Sequence, residues 1–291
     1  MPDPGSGPIG PPAADGHRSG FVTLVGRPNV GKSTLLNTIL GTKVSIVSDK
    51  VQTTRTQIRG VLTRPEAQVV FVDTPGVHRP RGPLGQRLND AAAEAVTDVD
   101  LVVLVLDATA PVGPGDRFVA RWLTPTAMVV VNKVDATGPG AVLERLAQAS
   151  ELQLSEYWPV SAATGEGVPE MVESIIARLP PGPRFYPADM VTDVPEAFWV
   201  AELVREQLLA ATKEEVPHSI TCRVTEWEWP RIRVEILVER DSQKGIVIGR
   251  QGAVLKAVGT AVRQQLAPGA YVELFVKVDR DWQRRSSALD Y

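Results

Sequence analysis

Residues 26–34, GRPNVGKST, combine two glycines, a lysine and two hydroxyl side chains in one short stretch. The spacing fits the pattern G-x-x-x-x-G-K-[ST], in which the glycines let several backbone N–H groups converge on phosphate oxygens. The lysine adds a point charge, and the hydroxyl after it can bind Mg²⁺. An apolar run at 21–25 and a helical run after the loop supply the strand and helix that such a site needs. We therefore predict a triphosphate site that contains Gly26, Arg27, Pro28, Asn29, Val30, Gly31, Lys32, Ser33 and Thr34.

A second polar sequence, DTPG at 73–76, directly follows the apolar run VVFV. Ligands of open α/β sheets bind at the carboxyl ends of strands, where this sequence would lie. Asp73 can there help to hold Mg²⁺ through its water shell, and the amide of Gly76 can lie near the third phosphate, with Thr74 and Pro75 between them. Taken alone, the same four residues also form ordinary turns.

A third sequence, NKVD at 132–135, follows the apolar run MVVV. The carboxylate of Asp135 can accept two parallel hydrogen bonds from N1–H and the 2-amino group of guanine. Adenine offers no such pair of donors, so the pattern favours a guanine nucleotide over an ATP-using enzyme. An isolated sequence of this kind is also compatible with a surface turn, and its order after the other two favours the base pocket.

The elements that must position these residues are short apolar strands separated by helical stretches. FVTLV, VVFV, LVVLVL and MVVV are continuously apolar, as expected for a sheet covered on both faces, and 84–97 and 140–150 have helical spacing. This alternation predicts a layered α/β domain. Residues 1–20 are rich in proline and glycine and are predicted to be a disordered tail. Prolines at 180, 181, 183 and 187 indicate a boundary, which divides the chain into a nucleotide domain at 21–180, a linker at 181–195 and a second domain at 196–291.

The second domain is predicted to have the order α-β-β-α-α-β, with GRQG at 249–252 between two helices. This order matches a type II KH domain, whose GXXG loop clamps a nucleic-acid backbone because two positions lack side chains. A helix turn that only needs glycine is the alternative for the four residues alone. Trp227 and Trp229 could stack on bases, but such residues more often pack a strand edge. Arg240 could add to a local basic patch, and the predicted RNA-binding residues are Lys244, Gly249, Arg250, Gln251, Gly252 and Lys256.

Composition limits the class of protein. The chain has 291 residues, of which 43% are apolar and 22% charged, which is enough for two cores. Its net charge of −3 gives no overall attraction to nucleic acid, so any anion-binding surface is local. Cys222 is the only cysteine, which excludes an internal disulfide and suits a reducing cytosol. The longest apolar run, 101–106, is much shorter than a membrane span, and the amino end has no export signal.

Five sequences occur in the order GRPNVGKST, QTTR, DTPG, NKVD and VSA, and they resemble the signature sequences of translation-factor-class GTPases. Together with LVERDSQKGIVIGRQG at 237–252 and YVELFVKVDRDW at 271–282, they make the chain resemble the Era family of ribosome-assembly GTPases. The resemblance covers nearly the whole chain after the tail. It implies a P-loop GTPase domain with a mixed, mostly parallel sheet, followed by an α+β type II KH domain.

The resemblance also implies roles for matching residues. Thr53 or Thr54 of QTTR would meet Mg²⁺ and the γ-phosphate, and Thr54 is favoured, so that the metal set is Ser33, Thr54 and Asp73. In NKVD, Asn132 would recognise guanine together with Asp135, and Lys133 would lie along the base. Ser161 and Ala162 of VSA would complete the pocket through their backbones.

The expected hydrolytic groups differ from those of Ras-like enzymes, which orient the attacking water with a glutamine. The residue after Gly76 is Val77, and the neighbouring His78 is more typical of a solvated bystander than of a base. The resemblance implies that Asn29 seats a monovalent cation, so that K⁺ accelerates turnover more than Na⁺. The predicted catalytic residues are Lys32, Thr54, Asn29 and Gly76.

The function implied by the resemblance is that of a slow GTP-hydrolysing switch. It would bind the 3′ region of 16S ribosomal RNA and act in 30S subunit assembly, with Mg²⁺ and K⁺ as cofactors and no stable oligomer. It would be cytoplasmic. Peripheral membrane association is known in the family, but this sequence shows no amphipathic basic helix or lipidation signal that would establish it. The alternative is an RNA-binding scaffold that holds GTP with negligible turnover.

Overall fold

A computed structural model of the chain describes residues 16–78, 83–213, 216–280 and 282–284. Two compact units share these residues. Of the described residues, the first unit contains 16–45, 54–78 and 85–193, and the second contains 46–53, 83–84, 194–213, 216–280 and 282–284. Residues 1–15 of the predicted tail lie outside the described residues.

The first unit is built on a six-stranded sheet with the strand order β2-β3-β1-β4-β5-β6. Its strands are β1 Arg18–Val25, β2 Ile58–Thr63, β3 Ala67–Asp73, β4 Leu101–Asp107, β5 Met128–Asn132 and β6 Glu156–Pro159. Its helices are α1 Lys32–Leu40, α2 Pro83–Glu94, α3 Pro114–Ala120, α4 Pro139–Ser150 and α5 Val168–Arg178. Neighbouring strands are parallel except for β2, which runs antiparallel to β3.

The predicted layered α/β fold is confirmed, and burial explains which strands the sequence revealed. Every residue of β3 and of β5 is buried, because each strand has a neighbour on both sides and helices on both faces. The edge strands β2 and β6 are only partly buried and carry polar residues. Their sequences therefore lack the continuous apolar pattern, and neither strand was predicted.

The strand β1 begins earlier than its apolar run. The prediction placed residues 18–20 in the tail, but Arg18, Ser19 and Gly20 pair with β3, and the amide of Arg18 donates to the carbonyl of Glu66 at 3.0 Å. This part of the prediction was wrong, because the partner strand already begins at Ala67 and its hydrogen bonds extend β1 through residues of low strand propensity.

The register of the sheet brings the predicted functional sequences to one edge. Leu24 pairs with Asp73, and Asp107 pairs with Asn132. Since these strands are parallel, the loop after β1 and the sequences that end β3 and β5 emerge side by side. The sheet therefore positions the three motifs without any long-range loop.

The second unit contains a three-stranded sheet with helices on one face. Its elements are α6 Glu196–Ala211, β7 Thr221–Glu228, β8 Arg231–Val238, α7 Asp241–Ile248, α8 Ala253–Arg263 and β9 Tyr271–Val278. The central strand β8 runs antiparallel to β7 and parallel to β9. Ile232, Val234 and Ile236 are buried at alternate positions of β8 and share a core with Val204 and Val258 of the helices. The predicted α-β-β-α-α-β order and the type II KH fold are confirmed.

Among the residues that the structure describes, every helix is too short or too polar to span a bilayer.

Candidate nucleotide site and nucleic-acid interface

The loop between β1 and α1 depends on its two glycines. Gly26 has φ +153°, and a Cβ there would lie 2.5 Å from the carbonyl oxygen of Val105. Gly31 has φ +98°, and a Cβ there would lie 2.2 Å from Nδ2 of Asn132. Helix α1 begins directly after Gly31, so its first N–H groups face the loop. A helix amino end of this kind is a binding site for phosphate.

Lys32 is the buried cation of this loop. Its Nζ donates to the carbonyl oxygens of Gly26 at 3.3 Å and of Arg27 at 3.1 Å. Burial lowers the pKa of Lys32 to about 8, although the nearby carboxylate of Asp73 acts in the opposite direction. The ammonium group is thus held by weak neutral acceptors that phosphate oxygens can replace.

Arg27 was predicted to bind nucleotide, but its side chain turns away from the loop. Its Nε donates to Oδ1 of Asp116 at 2.7 Å, and Asp116 is only 2% exposed. The other oxygen of Asp116 accepts the amide of Gly113 at the start of α3 at 2.9 Å. Arg27 therefore offers the loop its backbone, while its side chain attaches the loop to α3.

Four oxygen-bearing side chains meet at the end of β3. Oδ2 of Asp73 accepts hydrogen bonds from the hydroxyls of Ser33 at 2.6 Å, Ser45 at 3.0 Å and Thr54 at 3.4 Å. The hydroxyls of Ser33 and Thr54 are 3.0 Å apart. The hydroxyl of Thr53 instead donates to the carbonyl of Lys50 at 2.7 Å. The structure therefore places Thr54 rather than Thr53 beside the other predicted metal ligands.

This cluster has the chemistry of a Mg²⁺ site. Asp73 is fully buried, and burial raises the pKa of its carboxyl group, against the lowering effects of Lys32 and the three hydroxyls. Its Oδ1 is buried and accepts no hydrogen bond within the described part of the chain. Carboxylate and hydroxyl oxygens are the hard ligands that Mg²⁺ binds. Ser45 was not predicted, because it belongs to none of the recognised motifs.

Asn132 connects the phosphate loop to the predicted base pocket. Its Nδ2 donates to the carbonyl of Val30, and its Oδ1 accepts the amide of Ala162, both at 2.9 Å. The side chain is 1% exposed. Asn132 therefore acts on the pocket by fixing two loops relative to each other.

Lys133 is held by an acidic residue that the motifs did not reveal. Its Nζ donates to Oδ2 of Asp107 and to the carbonyl of Asn29, both at 2.6 Å. Burial disfavours the charged form of Asp107, but the hydrogen bonds from Lys133 and Thr109 are stronger and lower the pKa of Asp107. The position of Asp107 as the last residue of the apolar strand β4 was the available signal.

The predicted guanine-recognising carboxylate is oriented by a serine hydroxyl. Oγ of Ser161 donates to Oδ1 of Asp135 at 2.5 Å and accepts the amide of Thr164 at 3.0 Å. Asp135 itself is exposed to solvent. Ser161 was predicted to act through its backbone, and its side chain has this additional role.

The DTPG segment packs against the phosphate loop and contains no side-chain base. A Cβ at Gly76 would lie 2.7 Å from Cα of Pro28. The hydroxyl of Thr74 donates to the carbonyl of Leu24 at 2.7 Å, and Val77 is buried in the core. Nδ2 of Asn89 donates to the backbone carbonyl of His78 at 2.7 Å. Position 77 therefore offers only its backbone to a water molecule.

In the second unit, the GRQG loop has the backbone of a nucleic-acid clamp. Gly249 has φ +73°, and a Cβ there would lie 2.9 Å from the amide nitrogen of Val254. Gly252 has φ +77° and precedes the first residue of α8. Arg250 and Gln251 between them are exposed. The loop thus presents donor side chains beside two positions that must remain without side chains.

A groove of about 580 Å³ lies between α8 and β9 in the same unit. Lys256 and Arg263 line it from α8, and Tyr271 and Phe275 line it from β9. The guanidinium of Arg233 lies 4.8 Å from the centroid of the Phe275 ring. Cations and half-exposed aromatic rings in one groove suit bases and phosphates. The alternating pattern of YVELFVKV was the signal for the two aromatic residues, which were not predicted.

Three of the residues considered earlier lie outside this groove. Lys244 is half-buried on α7. Trp227 and Trp229 are 38% and 54% exposed at the end of β7, and neither lines the groove. Base stacking on these tryptophans stays a prediction.

Family models match both units of the chain. One described as a 50S ribosome-binding GTPase matches residues 21–133, and a KH-domain model matches residues 215–283. Among curated relatives, the GTPase Era of Synechocystis sp. is 45% identical over 97% of this chain and 94% of its own length. The GTPase Era of Staphylococcus haemolyticus is 42% identical over 92% of this chain and 94% of its own.

Solved structures agree with these sequence relatives. An Aquifex aeolicus Era variant bound to GDP·AlF4⁻ is 38% identical, with a TM-score of 0.88 over 94% of this chain and 97% of its own. Equal identity, TM-score and coverage are found for Era in complex with MgGDPNP and nucleotides 1506–1542 of 16S ribosomal RNA.

The lowered pKa of Lys32 predicts a pH-dependent affinity for a nucleoside triphosphate. Without ligand, the ammonium group loses its proton as the pH rises through about 8, and a bound triphosphate would restore the charged form. Binding should therefore take up a proton, and affinity should fall about tenfold between pH 7 and pH 9. Calorimetry in buffers of different ionisation enthalpy measures both quantities.

The control is Lys32→Arg, because arginine stays protonated over this range. We expect the Lys32→Arg protein to bind the triphosphate more weakly, but to show no fall in affinity between pH 7 and pH 9. Ionisation of the nucleotide base affects both proteins equally. Equal pH profiles for the two proteins would contradict the assignment.

Proposed function

The chain belongs to the Era family of GTPases, and from this premise we propose that it is a GTP-hydrolysing switch that binds ribosomal RNA. The observation that carries the proposal is the convergence of Ser33, Thr54 and Asp73 beside the phosphate loop. In this arrangement one ligand, a triphosphate with its metal, can order residues from three separate segments.

In the proposed complex, the chain supplies the groups that bind the phosphates. The loop amides and the amino end of α1 receive the oxygens, and Lys32 exchanges its carbonyl acceptors for them. Ser33 and Thr54 would hold Mg²⁺, with Asp73 acting through its water shell, and the metal would neutralise charge that develops on the phosphates. A complex of a structural neighbour with MgGDPNP supports this assignment.

We propose slow hydrolysis that depends on the backbone and on a monovalent cation. Val77 is buried and supplies no base, so water would be oriented by backbone groups near Gly76. Asn29 is exposed on the loop with φ +63°, where its side chain can help to seat K⁺ near the phosphates. Such a cation would act in the transition state, where charge increases.

For the second unit we propose binding to the 3′ region of 16S ribosomal RNA during 30S subunit assembly. The GRQG loop and the groove between α8 and β9 support this proposal, and so does the RNA in the complex of the structural neighbour. We further propose a GTPase domain that ends at residue 180, a linker at 181–195 and a KH domain at 196–291, with residues 18–20 belonging to β1 of the GTPase domain and not to the tail. A cytoplasmic location and the lack of a stable oligomer belong to the same proposal, and peripheral membrane contact stays a prediction of the family resemblance.

The second candidate is an RNA-binding scaffold that holds GTP without turnover, which the buried apolar Val77 favours. Single-turnover hydrolysis with and without RNA distinguishes the two. Phosphate release in either condition supports the switch, and its absence in both supports the scaffold.

Base recognition predicts a change of nucleotide preference for Asp135→Asn. The amide would replace one acceptor by a donor, which suits the 2-carbonyl of xanthine and opposes the 2-amino group of guanine. We expect affinity for GTP to fall on the order of 100-fold and affinity for XTP to rise, because two paired hydrogen bonds are lost. Asp98→Asn, in an exposed turn before β4, is the matched control. Guanine selectivity that survives in Asp135→Asn would refute this base pocket.

The proposed cation site predicts that hydrolysis is faster in K⁺ than in Na⁺, by on the order of tenfold to 100-fold. The variant Asn29→Gly removes the side chain and suits the left-handed backbone of this position. We expect this variant to lose the difference between the salts while its GDP affinity changes little. Equal rates in both salts for the unsubstituted protein would remove the proposal of a K⁺ site.

The proposed RNA interface predicts that Arg250→Ala and Lys256→Ala each weaken binding of an RNA that spans nucleotides 1506–1542. Each loss of a phosphate contact should lower the dependence of log affinity on log salt by about one. Arg223→Ala is the control, because Arg223 is exposed on β7, pairs with Glu235 and does not line the groove. Equal losses in all three variants would show that the groove is not the interface.

A further inference from the structure

The chain that follows α1 turns back along the helix. Helix α1 ends directly before Gly41, which has φ +65°, a left-handed conformation that glycine adopts without strain. The amide of Gly41 donates to the carbonyl of Thr38 at 3.3 Å and caps the helix. Because the chain is redirected there, Val44 and Ser45 lie beside Asn37 in the last turn of the helix.

The side chain of Asn37 fixes both polar backbone groups of Ser45. Nδ2 of Asn37 donates to the carbonyl of Ser45 at 2.8 Å, and Oδ1 accepts the amide of Ser45 at 3.0 Å. Oδ1 also accepts the amide of Val44 at 2.9 Å. This pairing needs a side chain that carries both an N–H donor and a carbonyl acceptor, as asparagine does. Since the three partner groups belong to the backbone, the position of Ser45 relative to α1 is determined by one side chain.

The hydroxyl of Ser45 then reaches the carboxylate at the end of β3. Ser45 is 2% exposed, and its Oγ donates to Oδ2 of Asp73 at 3.0 Å. Ser33 and Thr54 donate to the same oxygen, but both are also proposed ligands of Mg²⁺. Ser45 lies outside the proposed metal set, so its hydroxyl can serve the carboxylate alone.

The two oxygens of Asp73 consequently have different surroundings. Oδ2 accepts from the three hydroxyls, whereas Oδ1 is buried and accepts no hydrogen bond from the residues that the structure describes. A carboxylate that is held at one oxygen keeps the other in a fixed place, because rotation of the group would break strong hydrogen bonds to a charged acceptor. A buried acceptor without a partner is unfavourable until a water molecule or ligand satisfies it.

We propose that Ser45 is a positioning residue of the Mg²⁺ site and that Asn37 holds it in place. Ser45 fixes Asp73 through Oδ2, so that Oδ1 is available to a water molecule of the hydration shell of the metal. Groups that hydrogen-bond to the ligands of a metal set their orientation and contribute to its affinity. The inference rests on the proposed function, because Asp73 needs this orientation only if Mg²⁺ binds with the triphosphate.

The test measures how the affinity of the full-length chain for a fluorescent non-hydrolysable GTP analogue depends on Mg²⁺ concentration. For Ser45→Ala we expect the Mg²⁺ concentration at half-effect to rise on the order of tenfold to 100-fold. Affinity for GDP in EDTA should stay within about twofold, because the phosphate loop is unchanged. Ser45→Thr keeps the hydroxyl and should restore most of the Mg²⁺ affinity. An unchanged Mg²⁺ requirement, or an equal loss of GDP affinity in EDTA, would overturn the positioning role.

The matched control is Ser19→Ala. Ser19 is also a serine that is 2% exposed, but it lies at the start of β1, whereas the phosphate loop follows the end of this strand. Its removal should leave the Mg²⁺ requirement unchanged. A rise as large as that of Ser45→Ala would mean that any loss of a buried hydroxyl has this effect, which rejects the inference.

A double-mutant cycle tests whether Asn37 acts through Ser45. Asn37→Ala should raise the Mg²⁺ requirement as Ser45→Ala does, and the double variant should be no worse than Ser45→Ala, whereas independent roles would give additive losses. Should Asn37→Ala fail to fold, Asn37→Asp keeps the acceptor for both amides and loses only the donor. We expect Asn37→Asp to cause a smaller rise, and additive losses with Ser45→Ala would contradict the proposed role of Asn37.

Ser33→Ala separates failure of this inference from failure of the proposed function, because Ser33 would bind the metal directly. If Ser33→Ala raises the Mg²⁺ requirement and Ser45→Ala does not, only the role of Ser45 is rejected. If neither variant changes the Mg²⁺ requirement, the metal site at Asp73 is wrong, and the proposed function fails with it.

Discussion

A buried carboxylate is the constraint on which the first unit depends. Asp73 has no exposed surface, and a charge in such a place is tolerated only when donors or a cation compensate it. The donors are the hydroxyls of Ser33, Ser45 and Thr54. Ser33 lies in α1, directly after the phosphate loop, and Ser45 and Thr54 lie on either side of residues 46–53. One strand end therefore determines where three otherwise independent pieces of backbone must lie.

The base pocket follows the same principle with an amide in place of a carboxylate. Asn132 is buried and uses its amide group to join the carbonyl of Val30 and the amide of Ala162. Since both partners are backbone groups, their positions do not depend on flexible side chains. Asp107 and Ser161 then orient the two charged residues of the motif, Lys133 and Asp135. The predicted base pocket is thus preorganised by the chain itself, which would lower the entropy that binding of a base must overcome.

The sequence was sufficient for the fold and for the motif residues that the sheet brings to one edge. Gly26, Gly31 and Gly249 were recognisable because close approach of backbone restricts a position to one residue type. It was insufficient for the residues that hold those groups in place. Ser45, Asp107 and Asp116 act by tertiary contacts with partners that are distant in sequence, and many residue types at other places could serve the same purpose. The edge strands were missed for a related reason, because half-exposed positions tolerate polar residues.

The hydroxyl bonds around Asp73 are compatible with a metal at the same oxygens. A hydroxyl has one proton to donate and two lone pairs, so Ser33 and Thr54 can keep donating to Asp73 while their lone pairs face a cation. The hydrogen bonds, each worth about 1.5–3 kcal/mol when one partner is charged, therefore need not be lost on binding, and they compensate the carboxylate when the metal leaves. A site that keeps these bonds with and without its metal can release the metal without leaving a buried charge uncompensated. This reversibility is what a switch requires, and it follows from the three hydroxyls rather than from the affinity of any single contact.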